Sequence, residues 1–292
     1  MSIAFATQST DGAGLQIEDR LSTVESLMRD LTGRHQNVVA EAAHAHLTSG
    51  GRRVRARLAL QAAASLNLSE QTATAIAAAC ELVHNASLVH DDIQDRDTVR
   101  RERPAIWASF GTDVAICAGD LMLSAAPAAL ATASAEDIGA LVAYFHHRVS
   151  DVIDGQCDDL AAAGGGGVEL VDYVSIASRK SGPLLGLPIE LTLLAAREDS
   201  LQSASEACGA FAVAYQIIDD LKDSDADRHA GSLNVLGCLG GCLQPETVAR
   251  HIANSYCRHA KRLAESLPSN AGGMLASMAR QMGAAALTES QP

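Results

Sequence analysis

A chain of 292 residues with a formal net charge of −13 is too acidic overall to favour a nucleic-acid backbone, so nucleic acid is not expected as a partner. Its seven cysteines are odd in number and scattered, which fits reduced thiols rather than a disulfide framework. No basic, apolar signal opens the chain, and its longest apolar stretches are interrupted or weakly hydrophobic, so a cytoplasmic protein without a transmembrane segment is expected.

Hydrophobic residues make up 48% and aromatic residues only 3%, and the Ala/Leu-rich stretches at 72–87 and 125–133 read as helix. Residues 1–16 lack periodicity and are expected to be disordered, with helices following at 17–31 and 37–47. Thr48-Ser49-Gly50-Gly51 is a turn signal that delivers an arginine cluster to the next helix start. Further helices are expected at 58–66, 70–90, 115–132, 135–163, 170–178, 182–196, 203–221, 246–267 and 273–286. Pro127 is expected to kink or end its helix, the glycine run 164–167 reads as a loop, and 229–245 reads as loop with short turns. The expected architecture is all-α: one domain over 17–286, with a polar tail at 287–292. It is a bundle of roughly ten or more helices around a central substrate cavity.

One acidic signature occurs twice, as Asp91-Asp92-Ile93-Gln94-Asp95 and as Asp219-Asp220-Leu221-Lys222-Asp223, each closing an apolar run. Its first and last aspartates lie four residues apart, so on a helix both carboxylates leave one face. Like charges this close repel unless a cation sits between them, and hard oxygen donors suit Mg²⁺ on a phosphate-bearing substrate. Two basic clusters stand nearby in sequence: Arg52, Arg53, Arg55 and Arg57, then Arg96, Arg100, Arg101 and Arg103. A planar guanidinium binds phosphate oxygens bidentately, so these clusters read as diphosphate clamps. Cys238 and Cys242, without two further ligands, are weak evidence for zinc.

In order along the chain stand Gly50-Gly51-Arg52-Arg53-Val54-Arg55, His84, the first acidic motif with Arg100-Arg101, and Gly119-Asp120. Gly155-Gln156, Lys180-Ser181-Gly182 and Tyr215-Gln216-Ile217-Ile218-Asp219-Asp220 follow. This ordered set resembles the trans-isoprenyl diphosphate synthases, the polyprenyl synthetase family. The resemblance implies the isoprenoid synthase fold and Mg²⁺-dependent condensation of isopentenyl diphosphate with an allylic diphosphate. By resemblance, metal falls to Asp91, Asp95 and Asp219, with Asp92, Asp220 and Asp223 as direct or supporting partners. Arg100 and Lys180 would hold the allylic diphosphate, and Arg52, Arg55, His84 and Arg101 the isopentenyl diphosphate. Ser181 and Gln216 would shield the cation and orient the prenyl tail. No side-chain base is implied, the final proton going to released pyrophosphate. A homodimer is expected by the same resemblance.

The match departs in two places. Arg52 stands where the family usually has lysine, and after Lys222 no lysine occurs until Lys261, where the family usually has one or two soon after the second motif. Arg228 is a candidate replacement for part of that charge. A weakly active or partner-dependent subunit therefore stays open, as does, less favoured, a class I terpene cyclase. Ser87, Ala86 and Val83, lying four, five and eight residues before Asp91, offer little bulk to a growing chain. With Ser124, Ala125 and Ala126 on the expected facing helix, they favour geranylgeranyl diphosphate or a longer product.

Overall fold

The computed structural model describes residues 11–162, 168–230 and 233–288, with side chains described over 17–161, 168–223 and 233–287. Among these are twelve α-helices and one hairpin of two-residue strands. The described chain divides into two compact units, built on Ser9–Phe145 and on His146–Pro292.

The Ser9–Phe145 unit contains α1 (Asp11–Thr32), α2 (Val38–Leu47), α3 (Val54–Ser65), α4 (Glu70–Gln94), β1 (Val99–Arg100), β2 (Arg103–Pro104), α5 (Ile106–Phe110) and α6 (Thr112–Leu130). α1 starts at Asp11, inside the stretch expected to be disordered; residues 1–10 lie outside the described part. Asn37 caps α2 by accepting from the Ala40 amide at 3.0 Å, and Ser69 caps α4 through Thr72 at 3.2 Å. Ala73, Ala75, Ala77, Ala78 and Ala79 are all buried, so α4 is the hub against which α3 and α6 pack on short side chains. Gly119 lies beneath the His90 ring, whose space a Cβ would invade, so α6 approaches α4 closely just before the first acidic motif.

α6 also corrects an expectation. At 19 residues and mean hydropathy 1.4 it is long and apolar enough to cross a membrane, with 44% of the stretch buried. It packs on α4, α2 and α1, and the core helix of a globular protein satisfies the same criteria of length and composition. Pro127 sits in its final turn, and the helix ends three residues later at Leu130.

The His146–Pro292 unit contains most of α7 (Ile138–Ala162), then α8 (Leu170–Ala195), α9 (Leu201–Ala230), α10 (Val235–Cys238), α11 (Pro245–Glu265) and α12 (Gly273–Thr288). The break expected between 178 and 182 is absent: α8 runs on through Pro183 and Pro188. Residues from Gly182 to Leu193 are all buried there, so packing outweighs the two amides that proline removes. Gly182 and Gly209 permit the close approach of α8 to α9, since a Cβ at Gly182 would lie 3.2 Å from the Gly209 Cα. Arg148, through Nε at 2.8 Å and Nη2 at 3.0 Å, pairs both oxygens of the fully buried Glu190, and its Nη2 also reaches Ser205 at 3.1 Å, tying α7, α8 and α9 together. α9 continues past the expected end at 221 to Ala230. The glycine run 164–167 and the side chain of Arg228 lie outside the described residues. All seven cysteines are free.

Candidate functional site

In the Ser9–Phe145 unit the last turn of α4 carries the first acidic motif. Asp91 is half-buried and Asp95, the C-cap residue, is exposed, whereas Asp92 is only 1% exposed. One residue advances a helix by about 100°, so the middle aspartate turns inward while its neighbours four apart share the outer face. Asp92 accepts from Arg100 Nε at 2.7 Å and from Nη2. Burial raises the Asp92 carboxyl above its ordinary pKa despite the arginine. For Arg100 burial acts downward, but the Asp92 hydrogen bond and charge prevail and hold it above the usual value.

The hairpin β1/β2 explains why adjacent arginines diverge. Its turn residues Arg101 and Glu102 have φ of 54° and 62°, the left-handed pair that a tight hairpin requires, although neither is glycine. Arg100 turns to Asp92, while Arg101 Nη1 donates to the Gly50 carbonyl and lies 3.4 Å from Ser49 Oγ. Gly51, at φ 123°, is required beneath it: an added Cβ would sit 2.9 Å from the Arg101 guanidinium carbon.

His84 lies two turns before Asp91 on α4. Burial first, then the charges of Arg55 and Arg101, with His46 and Arg100 adding to them, lower its pKa well below 6.5, so it is a neutral imidazole. Its buried Nδ1 has no hydrogen-bond partner in the structure. Arg52 is exposed and Arg55 half-buried at the start of α3. The remaining two arginines of that cluster differ: Arg53 is 8% exposed, and Arg57 donates to the Arg52 carbonyl at 3.0 Å and to Glu18 at 2.7 Å. Four arginines expected to act as one clamp therefore divide into two outward and two that hold the chain.

His46 on α2, absent from the sequence expectations, is 3% exposed and lowered to about 4 by burial first and then by Arg101, Arg100 and Arg53, with Asn85 acting oppositely. Between pH 6.5 and about 4 the unfolded chain binds a proton that folded His46 refuses, so stability falls as pH falls through that window. His46 accounts for a loss of about 2 kcal/mol between pH 8 and pH 5. Denaturant unfolding at both pH values should show His46→Gln with a correspondingly smaller difference than the parent; an equal difference would remove this assignment.

In the His146–Pro292 unit the second motif repeats the pattern. Asp219 is half-buried, Asp223 exposed, and Asp220 only 2% exposed. Both Asp220 oxygens are engaged: Oδ1 accepts from Gln216 at 2.8 Å, and Oδ2 accepts from the Tyr173 hydroxyl at 2.7 Å and the Val235 amide at 2.8 Å. Of the two inner aspartates expected among the metal group, Asp220 has both oxygens on protein partners, Gln216 among them, whereas Asp92 binds Arg100 through Oδ1 and its buried Oδ2 has no hydrogen-bond partner. Tyr173 and Asp159 were not singled out from sequence. Lys180 Nζ pairs with Asp159 Oδ2 at 2.5 Å, with Ser181 half-buried beside it. The signal for Asp159 lay in its spacing, one helical turn after Gly155. An added Cβ at Gly155 would lie 2.6 Å from the Lys180 amide nitrogen, so Gly155 is what lets α7 approach α8 at the lysine.

Among the described residues no three His, Cys, Asp or Glu side chains converge as a ready-made metal site. Each motif places two carboxylates on its outer face, Asp91 with Asp95 and Asp219 with Asp223. That fits Mg²⁺, which binds through one or two carboxylates and takes its other ligands from phosphate and water.

The model of the polyprenyl synthetase family matches residues 36–231. The chain belongs to the polyprenyl synthetase family. It is 34% identical over 208 residues to a (2E,6E)-farnesyl diphosphate synthase of Mycobacterium tuberculosis, a match covering 70% of this chain and 57% of that protein. It is 30% identical over 212 residues to a geranylgeranyl pyrophosphate synthase of Geoglobus acetivorans, covering 71% and 66%. The chain thus spans somewhat over half to two thirds of these relatives. The solved geranylgeranyl pyrophosphate synthetase of Geoglobus acetivorans shares the fold at TM-score 0.81 and 24% identity, over 91% of this chain and 99% of that one. A decaprenyl diphosphate synthase from Rhodobacter capsulatus matches at TM-score 0.82 and 19% identity, covering 94% and 99%. These likenesses bear out the all-α isoprenoid synthase fold.

Proposed function

We propose that this member of the polyprenyl synthetase family is a Mg²⁺-dependent prenyltransferase that condenses isopentenyl diphosphate with an allylic diphosphate. The observation that carries the reading lies within one unit. A carboxylate pair ends α4, and two turns earlier the same helix carries neutral His84 under the influence of Arg55, Arg101 and Arg100.

Each group then has a task. Asp91 with Asp95, and Asp219 with Asp223, would hold Mg²⁺, which when bound would supply Lewis-acid neutralisation of the departing diphosphate charge. Asp92 keeps Arg100 oriented, and Asp220 holds the Val235 amide and Gln216 so that the second motif keeps its outward face. Arg100 and Lys180 stabilise the leaving diphosphate as fixed cations that surrender no proton. Arg52, Arg55, Arg101 and His84 hold the diphosphate that stays, His84 as a neutral N–H donor that adds no charge to an arginine-rich pocket. Ser181 borders the cation's path. In the reaction the allylic C–O bond breaks, the double bond of isopentenyl diphosphate supplies the electrons of the new C–C bond, and the resulting cation loses one proton to released pyrophosphate. The enzyme is read as a cytoplasmic homodimer, which light scattering of the purified chain tests.

Geranylgeranyl diphosphate or a longer product is proposed from the small residues along α4. Val83 is 3% and Ala86 2% exposed, Ser87 is half-buried, and Ala125 and Ala126 are buried on α6, while Ser124 is exposed. Ala86→Phe is expected to shift the product to a shorter prenyl chain, read by chromatography of the dephosphorylated alcohols. An unchanged distribution would sink this floor. One observation favours a second reading, a subunit weak without a partner: no lysine follows Lys222 until Lys261. Turnover by the purified chain alone decides between the two.

A further inference from the structure

We infer that Arg53 is a positioning residue for the anion-binding turn, its buried guanidinium acting as a brace to partly exposed Glu25, the Leu47 carbonyl and buried Glu81. The inference rests on the reading of Arg52 and Arg55 as ligands of the non-departing diphosphate.

Arg53 occupies an unusual place. It is the residue before α3, in the left-handed conformation at φ 50° and ψ 42°, with no side-chain cap of its own. Such a conformation is strained for a residue with a Cβ and would favour glycine. An arginine there is explained by what its side chain reaches. Nε donates to Glu25 Oε1 of α1 at 2.9 Å, Nη2 donates to the carbonyl of Leu47 at the end of α2, and Nη1 lies 4.0 Å from Glu81 Oε2 of α4. Three helices are joined by one guanidinium, which is the geometry that lysine cannot reproduce.

Glu81 completes the brace on the far side of the turn. It is 2% exposed, and its Oε1 accepts from the Ala56 amide at 3.1 Å, satisfying a donor of the first turn of α3. Asn85 Nδ2 in turn donates to the Glu81 carbonyl at 2.7 Å and lies 3.5 Å from Oε2. The turn from Leu47 to Ala56 is therefore pinned at both ends by buried charged groups, with exposed Arg52 and half-buried Arg55 on the pinned segment. The network adds no ligand; it sets where two of them point.

Arg53→Gly tests the positioning role, because glycine keeps the left-handed backbone and deletes only the side chain. Glu81→Gln is the companion: it retains an acceptor for the Ala56 amide but removes the buried charge. Both variants should raise the KM for isopentenyl diphosphate about tenfold, with kcat and the allylic KM within about threefold of the parent. Calorimetric binding of isopentenyl diphosphate without Mg²⁺ should weaken by a similar factor. Unfolding midpoints are measured alongside, and if Arg53→Gly does not fold, Glu81→Gln decides. An unchanged isopentenyl KM, or equal rises in both KM values with a fall in kcat, would overturn the positioning role. Arg52→Ala, run in parallel, keeps the two readings apart: if it leaves isopentenyl diphosphate binding intact, the site assignment fails whatever Arg53 does.

Discussion

Asp91→Ala is expected to lower turnover by on the order of 10³-fold or more while leaving the unfolding midpoint almost unchanged. Asp91 is half-buried on the outer face of the last turn of α4, so its removal opens no core cavity. Its proposed work is to hold the cation that neutralises the leaving diphosphate. Asp92→Ala should behave differently. That carboxylate is 1% exposed and holds Arg100 through two donors, so its loss leaves a partly buried guanidinium without its main partner. About 2 kcal/mol or more of stability should disappear together with activity. Steady-state kinetics paired with denaturant unfolding separates the two aspartates; equal stability losses in both would refute the division within the motif.

Gly155→Ala should be the most damaging change of one methyl group. The new Cβ would stand 2.6 Å from the Lys180 nitrogen and the Arg179 carbonyl carbon and 2.8 Å from the Arg179 carbonyl oxygen. These are backbone atoms of α8, so relief requires the two helices to part. Overpacking of this kind costs about 1–3 kcal/mol. Parting α7 from α8 also stretches the 2.5 Å contact between Asp159 on α7 and Lys180 on α8. The expected result is a lowered unfolding midpoint with a fall in kcat of roughly 10² or more, as a displaced cation stabilises developing charge less well. A midpoint and kcat equal to the parent's would show that the helices have slack the structure does not display.

The sequence made the helical class and most helix positions legible because the Ala/Leu periodicity is strong and the caps at Asn37 and Ser69 are local signals. It failed where tertiary packing overrides local chemistry. A break was expected between 178 and 182, yet α8 is continuous, through Pro183 and Pro188, because one face after another of that segment is buried. The Arg101-Glu102 turn carries no glycine or asparagine, so no hairpin was expected; its strain is held by contacts that only the fold brings together. Within the candidate site, the inward turn of Asp92 and Asp220 follows from helical rotation alone and was open to be read. The burial of Arg53 was not, since four arginines in six positions look alike until Glu25 and Glu81 arrive from other helices.

The most direct test of the account is the incubation of the purified chain with labelled isopentenyl diphosphate and each allylic diphosphate primer, with and without Mg²⁺. Elongated prenyl diphosphate formed only in the presence of both substrates and the metal is the predicted result. A chain that makes no product from any primer, or that releases a hydrocarbon from the allylic diphosphate alone, would contradict it.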